Sequence, residues 1–239
     1  MCGRLALHQT PALRRLFRQL GLVPPAPAFN VAPTAEVPVL AGSDAPQLRP
    51  MRWWMTPRWA RDSKPGYAMF NARAENLEKS RAFRGPFHKQ RCLVPAAGYY
   101  EWEWDEVSGK KQPWLVQPAR APLLLAGIWE HWQHGDETLD SFAIITTQAD
   151  PELAWLHDRM PVMLPPDVLR RWLDPATPVE ELLPLLGPRL PYPVTATPVS
   201  SRMNNARLHE PEAVQPVGEP KFFHLPEKVR RPAAQARRH

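Results

Sequence analysis

Cysteine at position 2, preceded only by Met1, puts an α-amine and a thiol two carbons apart once the initiator methionine is removed. An N-terminal amine titrates at about 7.7–8.0, against about 10.4 for lysine, so near neutral pH far more of it is the neutral nucleophile. An aldehyde that condenses with this amine to an imine meets the thiol already in place, and closure gives a five-membered thiazolidine. Well-oriented intramolecular partners reach effective molarities of about 10⁵–10⁸ M. The same thiol can act alone in acyl transfer, with the free amine as its base. The plain alternative is that a small residue at position 2 only permits removal of Met1.

Three further polar clusters interrupt apolar surroundings. In Phe70-Asn71-Ala72-Arg73-Ala74-Glu75, Asn71 and Arg73 share a face if the segment is extended. In Gly98-Tyr99-Tyr100-Glu101-Trp102 a carboxyl stands among aromatics, a setting that raises its pKa toward the range of a general acid. In Leu156-His157-Asp158-Arg159-Met160-Pro161 a histidine, whose charge changes near neutrality, stands at the expected end of a short helix. Each has an ordinary reading. Asn71 can satisfy loop backbone groups, Arg73 can pair with Glu75, Glu101 can face solvent, and His157 can cap the helix. No metal or organic cofactor is expected.

The elements that position these clusters are strand-rich. Residues Gly3 to Leu7 predict a strand that anchors the N-terminus, and Thr10-Pro11 starts a helix with Leu13, Leu16, Phe17 and Leu20 on one face and Gly21 at its end. Phe29 to Pro33 reads as a structured loop, Val37–Ala41 and Gln47–Trp54 as strands, and Ala74–Arg84 as a helix. Arg91–Trp104 reads as one long strand bent near Pro95 and Gly98, with a hairpin turn at Ser108-Gly109-Lys110 leading into Pro113–Gln117. Leu123–Trp132, Ser141–Thr147 and Pro193–Val199 continue the sheet, with short helices near Pro151–Leu156, Pro166–Leu173 and Val179–Leu186. The expectation is one α+β domain over residues 1–225, mainly an antiparallel, barrel-like sheet with short helices. A disordered, arginine-rich tail is expected over 226–239.

Composition bounds the function. The net charge of +6 suggests nucleic acid, but Arg230, Arg231, Arg237 and Arg238 all lie in the last ten residues, so the body is only weakly basic. The longest apolar run, Ala121 to Trp129, contains Pro122 and Gly127 and is too short to span a bilayer. Arg14, Arg15 and Arg18 stand where a signal peptide needs apolar residues. With only two cysteines, and Cys2 reactive only when reduced, a cytoplasmic protein with no membrane partner is expected. Cys92, within Cys92-Leu93-Val94, reads as a buried structural thiol.

Met1-Cys2-Gly3-Arg4, Phe29-Asn30-Val31-Ala32-Pro33, Asn71-Ala72-Arg73-Ala74-Glu75, the Gly98–Trp102 run and His157-Asp158-Arg159-Met160-Pro161 occur in that order. Together they resemble the SOS-response-associated peptidase (SRAP) family of abasic-site processing proteins. The resemblance implies a β-rich domain that binds single-stranded DNA and captures the aldehyde of an abasic site as a thiazolidine crosslink through Cys2. Met1 removal by self-processing, or equally by the general aminopeptidase, and an abasic-site lyase activity come with the same implication. The implied catalytic set is Cys2, Asn71, Glu101 and His157. Arg4, Arg73 and Arg159 are the candidates for phosphate contacts, and Pro33 and Trp59 for stacking on flanking bases. A monomer is expected, associated with the nucleoid when bound to DNA. Two other readings stay open: a glutamine amidotransferase with an N-terminal cysteine nucleophile, although no Asn-Gly pair occurs in the chain, and a non-covalent single-strand binding module.

Overall fold

Alternation along the barrel strands divides the apolar residues of the chain between two cores. Leu40, Leu93, Leu124, Ala126, Ala143 and Ile145 face one way, and Val39, Cys92, Val94, Leu125, Phe142 and Ile144 face the other. The computed structural model of the chain describes residues 2–63, 66–106, 109–208 and 210–223. The strands are β1 (Leu5–Leu7), β2 (Ala28–Val31), β3 (Glu36–Ala41), β4 (Gln47–Trp53), β5 (Asn71–Arg73), β6 (Arg91–Ala96), β7 (Gly98–Asp105), β8 (Lys110–Pro118), β9 (Leu123–His134), β10 (Glu137–Gln148), β11 (Arg159–Pro161), β12 (Val194–Pro198) and β13 (Lys221–Phe223). The α-helices are α1 (Pro11–Gln19), α2 (Arg84–Lys89), α3 (Leu169–Leu173) and α4 (Val179–Leu182).

Five strands close a barrel in the order β10-β4-β3-β6-β9, with β9 returning to β10 and with β5 and β11 added on β10. A second sheet runs β13-β12-β8-β7-β1-β2. Among the described residues only the β10–β4 and β10–β5 pairings are parallel, so the mainly antiparallel, barrel-like expectation holds. One face of the barrel strands packs Leu169, Trp172 and Leu173 of α3 and Leu182 of α4. The other joins Leu5, Tyr99, Val116 and Ala196 of the second sheet, and Cys2 lies in that shared core.

Local chemistry explains several boundaries. Thr10 Oγ1 accepts from Leu13 N at 3.2 Å, Pro11 takes the first helical position, and Leu13, Leu16 and Phe17 are buried. Gly21, at φ +67°, ends the helix while Leu22 N–H returns to the Phe17 carbonyl at 2.8 Å. The single bent strand expected over 91–104 is instead two strands in two sheets. A Cβ on Gly98 would meet Leu115 Cδ1 at 2.7 Å and Val116 O at 2.8 Å, so only glycine lets the chain cross from β6 to β7 at this point.

Other expectations are corrected. Residues 28–31 are a strand rather than a loop, because Leu5 and Leu7 of β1 supply backbone partners. The helix expected over 74–84 is a 3-10 turn at Ala74–Asn76 followed by turns. Ser80 Oγ accepts from Ala82 N at 3.3 Å and breaks the run, leaving helix only from Arg84. Residues 151–156 form successive turns, with Leu153 N bonded to Asp150 O and Leu156 N to Leu153 O. The Ser108 corner, the boundary at 225 and the 226–239 tail lie outside the described residues.

Candidate active site

Antiparallel pairing of β1 with β7 carries the N-terminus to Glu101. Leu5 stands opposite Tyr99, and Tyr100 N–H donates to the Arg4 carbonyl at 2.9 Å, so the chain preceding Arg4 runs toward residues 101 and 102. Cys2 is fully buried there and makes no disulfide. Burial pushes its thiol well above the ordinary range, and the neighbouring Glu101 charge pushes it further, so the sulfur is held as a neutral thiol.

Glu101 is 6% exposed, and burial raises its carboxyl to about 7 against the pull of the positively charged amino terminus. That is the condition of a carboxylic acid able to donate a proton near neutral pH. Tyr99 lies two residues earlier on the same strand. It is within electrostatic range of Cys2, Glu101 and Tyr192, and burial holds its hydroxyl protonated. Tyr99 was legible from strand parity with Glu101. Tyr192, between prolines on a distant loop, carried no signal.

Asn71 reaches the site from the barrel. Phe70 O accepts from Trp53 Nε1 at 2.9 Å and from Ile144 N at 3.0 Å, which pins the entry to β5. Asn71 pairs with Ile144 of β10, and its Nδ2 donates to the Cys2 carbonyl at 2.8 Å. Its buried Oδ1 has no partner among the described residues. The side chain thus fixes the cysteine backbone and keeps an acceptor in reserve.

His157 sits on the turn that leads into β11. Its Nδ1 is 2.9 Å from Arg159 N–H and 2.6 Å from an Asp158 carboxylate oxygen. One nitrogen cannot accept and donate together. Burial, with the amino-terminal charge, lowers the ring's pKa, which favours the neutral form. Nδ1 then accepts from Arg159, and Nε2 carries the proton. Protonation swaps the partner to Asp158. His157 and Arg73 line a cavity of about 650 Å³, and Asn71 and Arg73 line an adjoining one of about 270 Å³.

The three arginines differ. Arg159 is engaged by a two-pronged pair with Glu75, at 2.6 and 3.0 Å, and by the Thr146 carbonyl at 2.7 Å. Glu75, set against Arg73 in the sequence reading, therefore pairs with Arg159. Arg4 donates to the Asn30 side chain and to Met203 O at 3.3 Å, lies over Trp102 at 5.6 Å, and lines a separate cavity of about 600 Å³. Arg73 is exposed, and its side chain donates no hydrogen bond among the described residues. Trp59 is 44% exposed under Arg81 at 4.9 Å. Pro33 is half-buried in the Ala32–Ala35 turn, where Thr34 takes the left-handed φ of +81° that a β-branched residue adopts only under constraint. Among the described residues no hydrogen bond or ring contact joins Trp59 or Pro33 to the Cys2 group.

The closed barrel, the second sheet and a buried Cys2 beside the raised Glu101 carboxyl make up the fold and the candidate site. The family description "SOS response associated peptidase (SRAP)" matches residues 1–206, and the chain belongs to that family. It is 35% identical over 189 residues to the abasic site processing protein YoaM of Bacillus subtilis, covering 78% of this chain and 83% of that one. It is 30% identical over 223 residues to the abasic site processing protein HMCES of Xenopus tropicalis, covering 79% of this chain and 65% of that protein. A crystal structure of a Bacteroides thetaiotaomicron protein superimposes with a TM-score of 0.71 at 27% identity, over 79% of this chain and 84% of that one. A Bordetella bronchiseptica structure gives 0.70 at 27% identity, over 83% and 100%. Among the described residues no helix is long and apolar enough to cross a membrane, and no cluster of side chains is arranged to hold a metal ion.

Proposed function

We propose that this chain processes abasic sites in single-stranded DNA, capturing the sugar aldehyde covalently through Cys2 after Met1 is removed. The observation that carries the reading is the convergence of Asn71, Glu101 and the N-terminal segment on one buried cysteine. The neutral, buried thiol sets the order of steps. The α-amine, which is the available nucleophile, adds to the aldehyde carbon, and water leaves to give an imine. The thiol then adds across the C=N bond, sulfur bonding to carbon and its proton passing to nitrogen, which closes the thiazolidine. One water is lost overall and no oxidant is needed.

Glu101, protonated up to about pH 7, donates to the ring oxygen of the closed sugar and opens it to the aldehyde. Neutral His157 relays protons as water leaves. Asn71 orients the cysteine through its carbonyl and offers Oδ1 to the amine. Arg73 contacts backbone phosphate. Arg4 and Arg159 act on the strand indirectly, by holding Asn30 and Glu75 in place. Abasic-site lyase activity belongs to the same proposal because it proceeds through the same imine. Self-removal of Met1 belongs to it as hydrolysis of the Met1–Cys2 peptide bond, water adding to the carbonyl carbon and the Cys2 nitrogen leaving as the free amine.

Incubation with an abasic single-stranded oligonucleotide, read by intact mass and a denaturing gel, tests this reading. The expected adduct has the summed mass less one water. It is absent in Cys2→Ala and labile in Cys2→Ser. A stable adduct formed by protein that retains Met1 would falsify the mechanism, because an acylated nitrogen cannot form the imine.

A further inference from the structure

We infer that the cleft between the Pro57–Ala60 turn, β9 and α2 is a second phosphate-binding surface, which holds the same single strand several nucleotides away from Cys2. The inference rests on the function proposed above and extends its DNA path. Arg58, Arg84, His88 and Lys89 line this cleft, about 640 Å³ in volume, and no carboxylate is among its lining residues. The Arg58 and Arg84 side chains are 67% and 68% exposed, so their guanidinium groups are presented to solvent rather than used in the core.

The cleft is built rather than incidental. Glu130, 5% exposed on β9, lies 3.6 Å from Arg58 Nε and holds the guanidinium from beneath. Burial raises the Glu130 carboxyl, and Arg58 with Gln90 pulls it back, so the anchor is itself fixed by the cleft wall. Gly85 sets α2 beside Arg58, whose Nη2 lies 3.4 Å, an ordinary contact distance, from where a first side-chain carbon would stand. Glu78 engages Arg84 at 3.8 Å and His88 at 2.9 Å from the rim, and Glu130 holds Arg58. Lys89 is therefore the lining cation with no ion pair among the described residues, while Arg58 and Arg84 keep exposed donors for an anion.

Continuity points to nucleic acid as the occupant. Arg73 belongs both to the His157 cavity and to the one formed with Asn71 and Phe83, and Arg84 follows Phe83 directly into the basic cleft. Trp59, next to Arg58, is exposed with Arg81 over its ring, the pairing of aromatic face and cation on which a base stacks. A chain with phosphates at regular intervals and bases between them matches that order of charges and rings. A compact anion would fill only one segment of it.

The test compares wild type with Arg84→Gln/Lys89→Gln, two exposed positions whose change leaves the Arg58–Glu130 anchor intact. Affinity for unmodified single-stranded oligonucleotides of about 4 to 16 nucleotides, the usual span of single-strand sites, is read by fluorescence anisotropy across salt concentrations. Adduct formation on a short abasic oligonucleotide is read in parallel. The variant is expected to match wild type on the shortest strands and in saturated adduct rate. On the longest strands it should lose about tenfold in affinity, with the salt slope flatter by about 1.4 for two lost contacts. Equal loss at every length, or no loss on long strands, overturns the second surface while normal adduct formation leaves the capture reading intact. Failure of wild type itself to bind single strands or form the adduct overturns both.

Discussion

Glu101 shows what the site asks of a single residue. Its carboxyl is raised from 4.5 to about 7, so the folded protein binds that proton more tightly than the unfolded chain does. The group therefore favours folding fully below about pH 4.5, and that contribution is lost as pH rises through about 7. Glu101→Gln should accordingly match wild type in denaturant titrations near pH 4 and exceed its stability at pH 8, by up to about 3 kcal/mol at 1.36 kcal/mol per unit. Its activity should move the other way. Wild-type adduct formation needs a neutral amine and a protonated Glu101, so its rate should rise toward pH 7 and fall above it. The Gln variant should lose the alkaline fall and run about 10²–10⁴-fold slower, as loss of a general acid implies. A variant that kept both the wild-type rate and the bell-shaped profile would remove Glu101 from the chemistry. The cysteine, the carboxyl among aromatics and the paired Asn71 and Arg73 were legible because the signal lies within five residues. The engagement of Arg4 by Asn30 and of Arg159 by Glu75 was not, because those partners stand 26 and 84 positions away.

Among elements, the ones read correctly carry their own reasons for existing. α1 has its cap, its apolar face and its glycine stop, and β3, β4, β9 and β10 are long enough to show alternation. The three-residue strands β5, β11 and β13 exist only because β10 and β12 offer a free edge, a fact that no local window contains. Arg91 illustrates the same limit. It reads as the polar first residue of a strand, yet it is 2% exposed and donates to Trp172 O at 2.6 Å, Phe87 O at 2.7 Å, His88 O at 2.6 Å and Asp174 O. These carbonyls belong to the C-terminal turns of α2 and α3, where the last carbonyls of a helix have no intrahelical donor. Of the four, Asp174 O also accepts from Thr177 N at 3.0 Å. Arg91→Ala would strand several buried acceptors at about 1–3 kcal/mol each, so a loss of roughly 3 kcal/mol or more is expected in urea unfolding. Arg91→Lys should recover only part of it, because one ammonium cannot span four carbonyls set around a planar fork. Full recovery by lysine would show that charge, not geometry, joins the two helices to the barrel.

At the scale of the whole molecule the family match stops at residue 206, but the packing continues. Val199 bridges to Pro216, Val217 N–H donates to Pro198 O at 2.9 Å, and β13 completes the second sheet against β12. Lys221 Nζ lies 3.5 Å from the ring centre of Trp155 and 4.5 Å from that of Trp114, and Phe223 stacks on Trp155 at 6.2 Å. Trp155 is two residues from His157, so this last strand braces the turn that carries a candidate catalytic side chain. The sequence reading put the end of the folded body at residue 225 from composition alone, and the described contacts reach Phe223. Two truncations bracket it. Ending the chain after Leu225 removes four arginines and no contact described for β13, so the melting temperature and saturated adduct rate should be unchanged, with weaker single-strand binding only at low salt. Ending it after Gly218 removes β13 and the Lys221 contacts, at about 2 kcal/mol, or roughly 4–8 °C for a domain of this size. The adduct rate should fall at saturating DNA while affinity holds, because the brace acts on His157 and not on the phosphate track. If the chain ending at Leu225 melts early, the fold extends into the basic tail. If the one ending at Gly218 keeps full rate, the turn bearing His157 needs no brace.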